Sequence, residues 1–197
     1  MTWINGNNSY SFAKNVEDSN IEVELLTYGG DNMPNSNRRF MKEKEAKKFL
    51  SEFREIMNLD SPKLLTLKPP IELAKINDEE IFFVGGKPIF ARLHKRFFPT
   101  LESHDFLTSM PKATVNMGAV PFICNGADVM APGIVRFEGI FNEEDLVLVI
   151  DELHRKSIAI TVALYNVENA KTLKRGKILK NLHYIGDRLW KAIKQLS

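Results

Sequence analysis

The chain has 197 residues, of which 44% are apolar and 26% charged, so it belongs with ordinary globular proteins and not with disordered or fibrous ones. Its length allows one large domain or two small ones, and its net charge of +2 indicates no particular partner. The single cysteine excludes an internal disulfide, and without a Cys-x-x-Cys pair a thiolate zinc site is not expected.

Residues 1–37 are rich in Asn, Ser and Gly and predict a weakly ordered extension, with one short strand at Ile21–Leu26. A helix is predicted within Phe40–Leu59, because apolar residues recur there at steps of three and four. Asp60-Ser61-Pro62 ends it. The positions that form the apolar stripe are Ala46, Phe49, Leu50, Phe53, Ile56 and Met57.

Short runs typical of β-strands follow the helix, and hairpin turns at Asn77-Asp78 and Gly85-Gly86 separate them. The predicted strands are Ile71–Ile76, Ile81–Val84 and Pro88–Leu93. The sequence therefore predicts one helix packed on a small antiparallel sheet. Phe98–Leu101 then begins a short helix, for which Thr100 is the predicted N-cap.

Met110-Pro111 marks the boundary to a second unit, in which a strand at Ala113–Val115 precedes a short helix over Gly118–Cys124. Asn116 is the predicted cap of that helix, and Pro121 makes it short or distorted. Gly126 closes the helix, and Ala131-Pro132-Gly133 fits a type II turn. The remaining predicted elements are strands at Ile134–Phe137, Leu146–Asp151, Ser157–Tyr165 and around Leu182–Tyr184, and a helix over Asp187–Leu196.

Catalytic motifs are absent from the sequence: it has no phosphate-binding loop, no dinucleotide fingerprint and no His-Glu-x-x-His. The four histidines lack metal-ligand spacing, and His154 lies in a polar turn. Cys124 fits a buried structural thiol better than a nucleophile, and Asp128 fits an Asx-type bond within its turn better than a catalytic acid. We therefore expect no catalytic residue, no metal and no cofactor.

Charge is unevenly distributed along the chain. Residues 1–37 carry a net charge of −4, whereas residues 171–197 carry eight basic residues and one acidic residue. Residues 87–96 add four basic residues and no acidic one. Both clusters lie beside aromatic residues, and this combination is typical of RNA-binding surfaces. A solvated basic surface beside core aromatics is the other interpretation, and charge alone leaves both open.

The run Val115–Ile134 resembles the signature of PUA domains, which are RNA-binding modules. Gly118-Ala119, Gly126-Ala127 and Met130-Ala131-Pro132-Gly133 match its elements, and Pro121 departs from it. Glycine allows close approach of the backbone to a neighbouring strand or to an RNA phosphate, and we expect most of these glycines to serve only the fold.

Residues 176–190 resemble the closing segment of one PUA subfamily, the malignant-T-cell-amplified-sequence and ligatin N-terminal type. The strand motif Asn181-x-His183-Tyr184 leads there to the helix motif Asp187-x-Leu189-Trp190. Phe98–Leu101 resembles the linker of this group, and we expect the chain to be an archaeal member. The resemblance implies an α+β protein with a pre-PUA domain, made of a small helix and an antiparallel sheet, at residues 38–107. A PUA domain at 108–197, a mixed β pseudo-barrel, would follow it, and residues 1–37 would form an extension outside both.

The resemblance implies an RNA-binding protein without catalytic activity. We also expect a monomer, located in the cytoplasm and not attached to a membrane, because the run Leu146–Ile150 is too short to span a bilayer and residues 1–8 lack the features of a signal peptide. Its RNA would be rRNA or tRNA, in initiation, re-initiation or recycling on the small ribosomal subunit, and a partner with an initiation-factor-like domain would act in trans. The alternatives are an accessory RNA-recognition protein for a tRNA or rRNA modification enzyme, and a protein-interaction scaffold. The expected RNA contacts are Lys112, Asn116, Gly118 and Ala119 at the helix start, with Arg92, Lys95, Arg96, Lys174, Arg175, Lys177 and Lys180 binding phosphates.

Overall fold

The computed structural model describes residues 3–5, 8–10, 38–57, 70–93 and 95–197, and for residues 3–5, 8–10 and 53–57 it describes the backbone alone. The strand predicted at Ile21–Leu26 and the helix end predicted at Asp60-Ser61-Pro62 lie outside these ranges. Near the start of the chain, β1 (Trp3–Asn5) and β2 (Asn8–Tyr10) form an antiparallel pair that the sequence analysis did not predict.

The first sheet has five strands in the order β3-β4-β5-β6-β7, and each strand is antiparallel to its neighbours. Its strands are β3 (Arg39–Phe40), β4 (Ile71–Ile76), β5 (Glu79–Val84), β6 (Lys87–Leu93) and β7 (Arg96–Pro99). Asn77, Gly85 and Gly86 have positive φ, as hairpin turns between twisted strands require. The predicted helix is α1 (Glu43–Met57), so the helix-plus-sheet prediction is confirmed.

One face of the first sheet packs against α1. Ala46, Phe49 and Leu50 on the buried side of the helix share a hydrophobic cluster with side chains of that face. The ring of Phe49 stacks on that of Phe82, with the centroids 4.1 Å apart. Neighbouring residues of β5 point to opposite faces, and both faces of this strand are buried. Burial on both sides explains why Ile81-Phe82-Phe83 is continuously apolar instead of alternating.

Two local predictions between the sheets are wrong. Thr100 does not cap a helix: its hydroxyl is buried and donates to the carbonyl oxygen of Pro88 at 2.5 Å. The short helix is α2 (His104–Leu107), and Ser103 occupies its N-cap position. The residues predicted to begin the helix instead complete β7.

The second sheet is mixed, in the order β10-β8-β11-β12-β13-β9, and the β8–β11 pair is parallel. Its strands are β8 (Lys112–Val115), β9 (Val129–Met130), β10 (Ile134–Glu138), β11 (Leu146–Asp151), β12 (Ser157–Ala163) and β13 (Lys177–Tyr184). The helices in this part of the chain are α3 (Val120–Ile123), α4 (Val167–Thr172) and α5 (Arg188–Leu196). Helix α4 was not predicted. Ala131–Gly133 forms a 3₁₀ turn instead of the predicted type II turn. This small helix-plus-sheet unit followed by a curled mixed sheet confirms the predicted α+β class.

Both sheets contribute to one hydrophobic cluster, the shared core. Helix α5 supplies its buried face to this cluster through Leu189, Ala192 and Ile193. The other buried members include Ala74, Ile76, Ile81, Phe83, Ala91 and Phe98 of the first sheet and Leu148, Ile150 and Ile160 of the second.

Polar contacts hold both ends of α5 to the first sheet. Arg188 donates to the buried carboxylate of Glu79 over 3.1 Å at the start of the helix. At its end, Arg38 donates to the carbonyl oxygen of Leu196 over 2.8 Å and lies 4.0 Å from the ring centre of Phe83. Residues distant in the sequence therefore fix the second sheet against the first.

Candidate nucleic-acid interface

The candidate interface begins at the turn over residues 116–119, which precedes α3. The side-chain oxygen of Asn116 accepts from the N–H of Ala119 at 3.0 Å, and its amide donates to the carbonyl oxygen of Pro132 at 3.2 Å. The N–H of Met117 donates to the Glu152 carboxylate at 2.9 Å. Asn116 thus stabilises the turn as a cap, although the regular helix begins only at Val120 and is as short as Pro121 predicts.

The glycines of the PUA-like run serve different purposes. A Cβ on Gly133 would lie 3.0 Å from the Cβ of Ala119, so this glycine allows the 3₁₀ turn to pack on the turn before α3. A Cβ on Gly126, where φ is +89°, would lie 3.0 Å from the Tyr184 hydroxyl. A Cβ on Gly118 would meet only the side-chain oxygen of Asn116, at 3.3 Å. Gly118 is therefore the glycine of this run whose backbone stays open to a ligand.

Asp128 connects the loop after α3 to β13. Its carboxylate accepts from the N–H of Asn181 at 2.7 Å and forms an ion pair with Lys177. Burial raises the pKa of Asp128, but the Lys177 ammonium and the Asn181 N–H outweigh this effect and hold the pKa below its ordinary value. The predicted Asx-type bond within the turn is therefore wrong, because the carboxylate binds a distant strand.

The closing motif of the chain stabilises the fold. The amide of Asn181 donates to the carbonyl oxygens of Ile123 and Ala127, each at 3.0 Å, and so fastens α3 to β13. Asp187 caps α5 by accepting from the N–H of Trp190 at 2.6 Å, and its other oxygen lies 2.8 Å from Nδ1 of the fully buried His183. These contacts explain the spacing of the motif without any RNA contact.

The structure separates the expected phosphate-binding cations into two groups. The first group has internal partners. Lys112 donates to the carbonyl oxygens of Thr108 and Met110, at 2.9 and 3.1 Å. Arg92 pairs with Glu80, Arg96 with Glu144, and Lys177 with Asp128.

The second group is exposed and, among the residues that the structure describes, has no ion-pair partner: Lys95, Lys174, Arg175 and Lys180. Lys95 lies at the tip of the β6–β7 hairpin, where its φ is +68°. The other three lie on β13 or in the loop before it. The carbonyl oxygen of Gly176 accepts from the N–H of Ala131 at 2.9 Å, so this loop is anchored next to the 3₁₀ turn. These three cations and Gly118 therefore lie on elements that are bonded to one another.

Three exposed apolar side chains on the same elements were not predicted from the sequence: Met117, Phe122 and Met130. Phe122 is 68% exposed, whereas the next residue in α3, Ile123, is buried. Met130 pairs in register with Lys177 of β13. All four residues of α3 are apolar, so the sequence carried no periodic signal for which of them is exposed.

The other residues considered for chemistry have structural surroundings. Cys124 is half-buried, and burial raises the pKa of its thiol. Burial also raises the pKa of Asp151, but N–H groups of His154 and Lys156, at 2.5 and 2.8 Å, outweigh this effect and hold the pKa below its ordinary value. Within the described ranges, no three His, Cys, Asp or Glu side chains group as metal ligands. None of the helices in those ranges combines the length and apolar composition of a membrane span.

Comparison with known proteins matches both parts of the chain. The PUA domain model matches residues 111–185, and the model of a domain of unknown function, DUF1947, matches residues 37–103. A relative from Methanocaldococcus jannaschii, described as an uncharacterized protein, is 39% identical over 78% of this chain and 94% of its own length. Translation machinery-associated protein 20 of Eremothecium gossypii is 27% identical, and malignant T-cell-amplified sequence 1-B of Xenopus laevis 26%. Both alignments cover 64% of this chain. They cover 75% of the Eremothecium gossypii protein and 74% of the Xenopus laevis protein.

Solved structures agree with this assignment. A hypothetical protein of Pyrococcus horikoshii is 29% identical, with a TM-score of 0.64 over 79% of this chain and 99% of the other. A PUA-domain structure from Aeropyrum pernix K1 shares the fold, with a TM-score of 0.70 at 23% identity over 82% of this chain and 93% of the other. The chain belongs to the family of PUA-domain proteins of the malignant T-cell-amplified-sequence type, in which a pre-PUA domain precedes the PUA domain.

Proposed function

We propose that this protein binds RNA on the small ribosomal subunit, or initiator tRNA delivered there, during initiation, re-initiation or recycling. It acts in the cytoplasm as a monomer, without a reaction of its own, and a partner with an initiation-factor-like domain acts in trans. Family membership supports the coarser role, RNA binding linked to translation. The observation that carries the finer proposal is the group of Lys174, Arg175 and Lys180, which have no ion-pair partner among the described residues and lie on elements bonded through the 3₁₀ turn to the turn that contains Gly118.

The proposed contact is electrostatic positioning along the RNA backbone. Each cation that neutralises a phosphate releases a counterion, so the affinity falls as the salt concentration rises. Lys177 contributes less, because Asp128 already neutralises it. Lys95 is a further contact on the first sheet, whereas Arg92, Arg96 and Lys112 hold the fold through the partners described above.

We also propose a domain division between residues 107 and 108, which places α2 with the first sheet and β8 with the second. Residues 1–37 form an extension before both domains. The division applies to the sequence and not to the hydrophobic core, because the shared core contains side chains from both sheets. The two domains therefore bind RNA as one body.

Binding to purified small ribosomal subunits and to tRNA, measured between about 50 and 200 mM salt, tests the proposal. The variant Lys174→Glu/Arg175→Glu/Lys180→Glu should bind far more weakly, and its logarithmic salt slope should fall by about 2–3. The matched control is Lys44→Glu/Lys47→Glu/Lys48→Glu on the exposed side of α1, which changes the net charge equally. Equal losses in the two variants, or no loss in the first, would contradict the proposal.

The second candidate predicts a different outcome in the same experiment. An accessory protein for a modification enzyme would bind free tRNA or pre-rRNA together with that enzyme and would not sediment with mature small subunits. A scaffold protein would keep its partners in both triple variants.

A further inference from the structure

We propose that Phe122 is a stacking platform for an unpaired base, so that the α3 surface selects single-stranded RNA or an unstacked nucleotide over continuous duplex. This inference rests on the proposed function and names the RNA class that the same surface takes. We define the α3 surface as Met117, Phe122 and Met130 together with Lys174, Arg175 and Lys180, which lie on elements bonded to those that carry the apolar side chains.

The Phe122 ring is exposed above a fixed backbone. This side chain is 68% exposed, and among the described residues no aromatic ring or cation contacts it. The backbone beneath it is firmly held, because the carbonyl oxygen of Phe122 accepts from the N–H groups of Asn125 and Ala127 at 3.1 and 3.0 Å. An aromatic ring on a fixed backbone loses little conformational freedom when a flat partner lies on it.

The three cations lie on elements that are bonded to α3 or to the 3₁₀ turn. The Asn181 amide fastens the carbonyl oxygen of Ile123, the residue after Phe122, to β13, the strand that carries Lys180. The loop that carries Lys174 and Arg175 is anchored through Gly176 to Ala131, next to Met130. The elements that carry the exposed thioether and aromatic groups are thus bonded to elements that carry three cations.

This combination favours RNA over an apolar protein surface as the occupant. From residue 171 to residue 180 the chain has five basic residues and no acidic one, and three of the five have no ion-pair partner among the described residues. A polyanion complements that charge, and its bases present π-faces to an exposed ring. In a continuous duplex those faces are covered by stacking on neighbouring bases. The cations can contact the phosphates of either RNA, whereas the ring can stack only on an unpaired or terminal base.

The test measures the affinity of the full chain for a single-stranded RNA 12-mer and for a long continuous RNA duplex, in which terminal bases are a small fraction, compared at the same phosphate concentration. Phe122→Ala should weaken single-strand binding about tenfold and duplex binding by less than twofold. Phe122→Trp should retain single-strand affinity. Phe122→Leu, which keeps an apolar group but lacks a ring, should lose about as much as Phe122→Ala.

The matched control is Phe40→Ala, because Phe40 is 65% exposed on edge strand β3. It should change neither affinity, and the melting temperatures of all variants should match that of the wild type. An equal loss on both RNAs in Phe122→Ala, full affinity in Phe122→Leu, or no loss at all would overturn the inference. Loss of binding only to a protein partner would assign the surface to protein docking instead. If Phe122→Ala binds normally while the charge-reversal variant does not, the proposed function stands and the stacking role fails.

Discussion

Replacing Leu189 by alanine should destabilise both sheets together. Leu189 is 3% exposed on α5, and its side chain lies in the shared core. The substitution removes three carbon atoms, which corresponds to a transfer free energy of about 2.4 kcal/mol. The cavity left behind adds about 1 kcal/mol, so we expect the free energy of unfolding to fall by about 3 kcal/mol. Domains of this size have total stabilities of about 5–15 kcal/mol, so the loss is a large fraction.

Native-state hydrogen exchange measures this loss separately in each sheet. Amides of β5 and of β12 should both exchange about a hundredfold faster in Leu189→Ala, because opening of either sheet exposes the shared core. Leu189→Met, which nearly conserves the side-chain volume, should cost less than about 1.5 kcal/mol. Faster exchange in β12 with unchanged protection in β5 would show that the first sheet is stable without α5 and would refute the shared core.

Three further predictions concern the loops and the acidic residues. Gly126→Ala should lower the melting temperature more than Gly176→Ala. Both glycines have left-handed φ, +89° and +93°, so alanine at either position costs about 1–2 kcal/mol of backbone strain. Only at Gly126 does the new Cβ also meet the hydroxyl of Tyr184. Equal losses would contradict the close packing there. Asp128→Asn should make the logarithmic salt slope of RNA binding steeper by about 0.7, because Lys177 is released to bind a phosphate of single-stranded RNA. An unchanged slope would exclude Lys177 from the interface. The pKa of Asp151 in the folded protein is below the value of about 3.9 for an unfolded chain. The ionised Asp151 carboxylate therefore stabilises the fold fully above about pH 3.9, and this stabilisation is lost as the pH falls through the folded-state pKa. Urea midpoints between pH 6 and pH 2 should therefore fall less for Asp151→Asn than for wild type, and parallel curves would contradict this.

The fold was predictable from the sequence where local signals and burial agreed. Turn residues such as Asn77 and Gly85-Gly86 separated apolar runs, and the strands on either side follow them closely. Local signals failed where a distant partner decided the conformation. Thr100 has a good N-cap side chain, but its hydroxyl binds a carbonyl oxygen of β6. Gly133 does not supply positive φ for a turn; instead its missing Cβ leaves space for Ala119.

The candidate site was predictable only as a region. The PUA-like run and the cation clusters identified its elements, but composition cannot show which cations are already paired. Lys177 and Arg92 are neutralised by carboxylates from other strands or loops, whereas Lys174 and Arg175 have no such partner within the described ranges. The exposure of Phe122 was not anticipated, because a phenylalanine in an apolar helix is usually assigned to the core.

The shared core also governs the order in which the chain can fold during synthesis. The face of the first sheet that carries Ile81, Phe83 and Phe98 is completed by Leu189 and its neighbours, which are synthesised only after the whole second sheet. While β8 to β13 are still emerging from the ribosome, this face has no covering helix and is open to non-native contacts. The core of the first sheet is therefore completed only when residues 188–196 have left the exit tunnel.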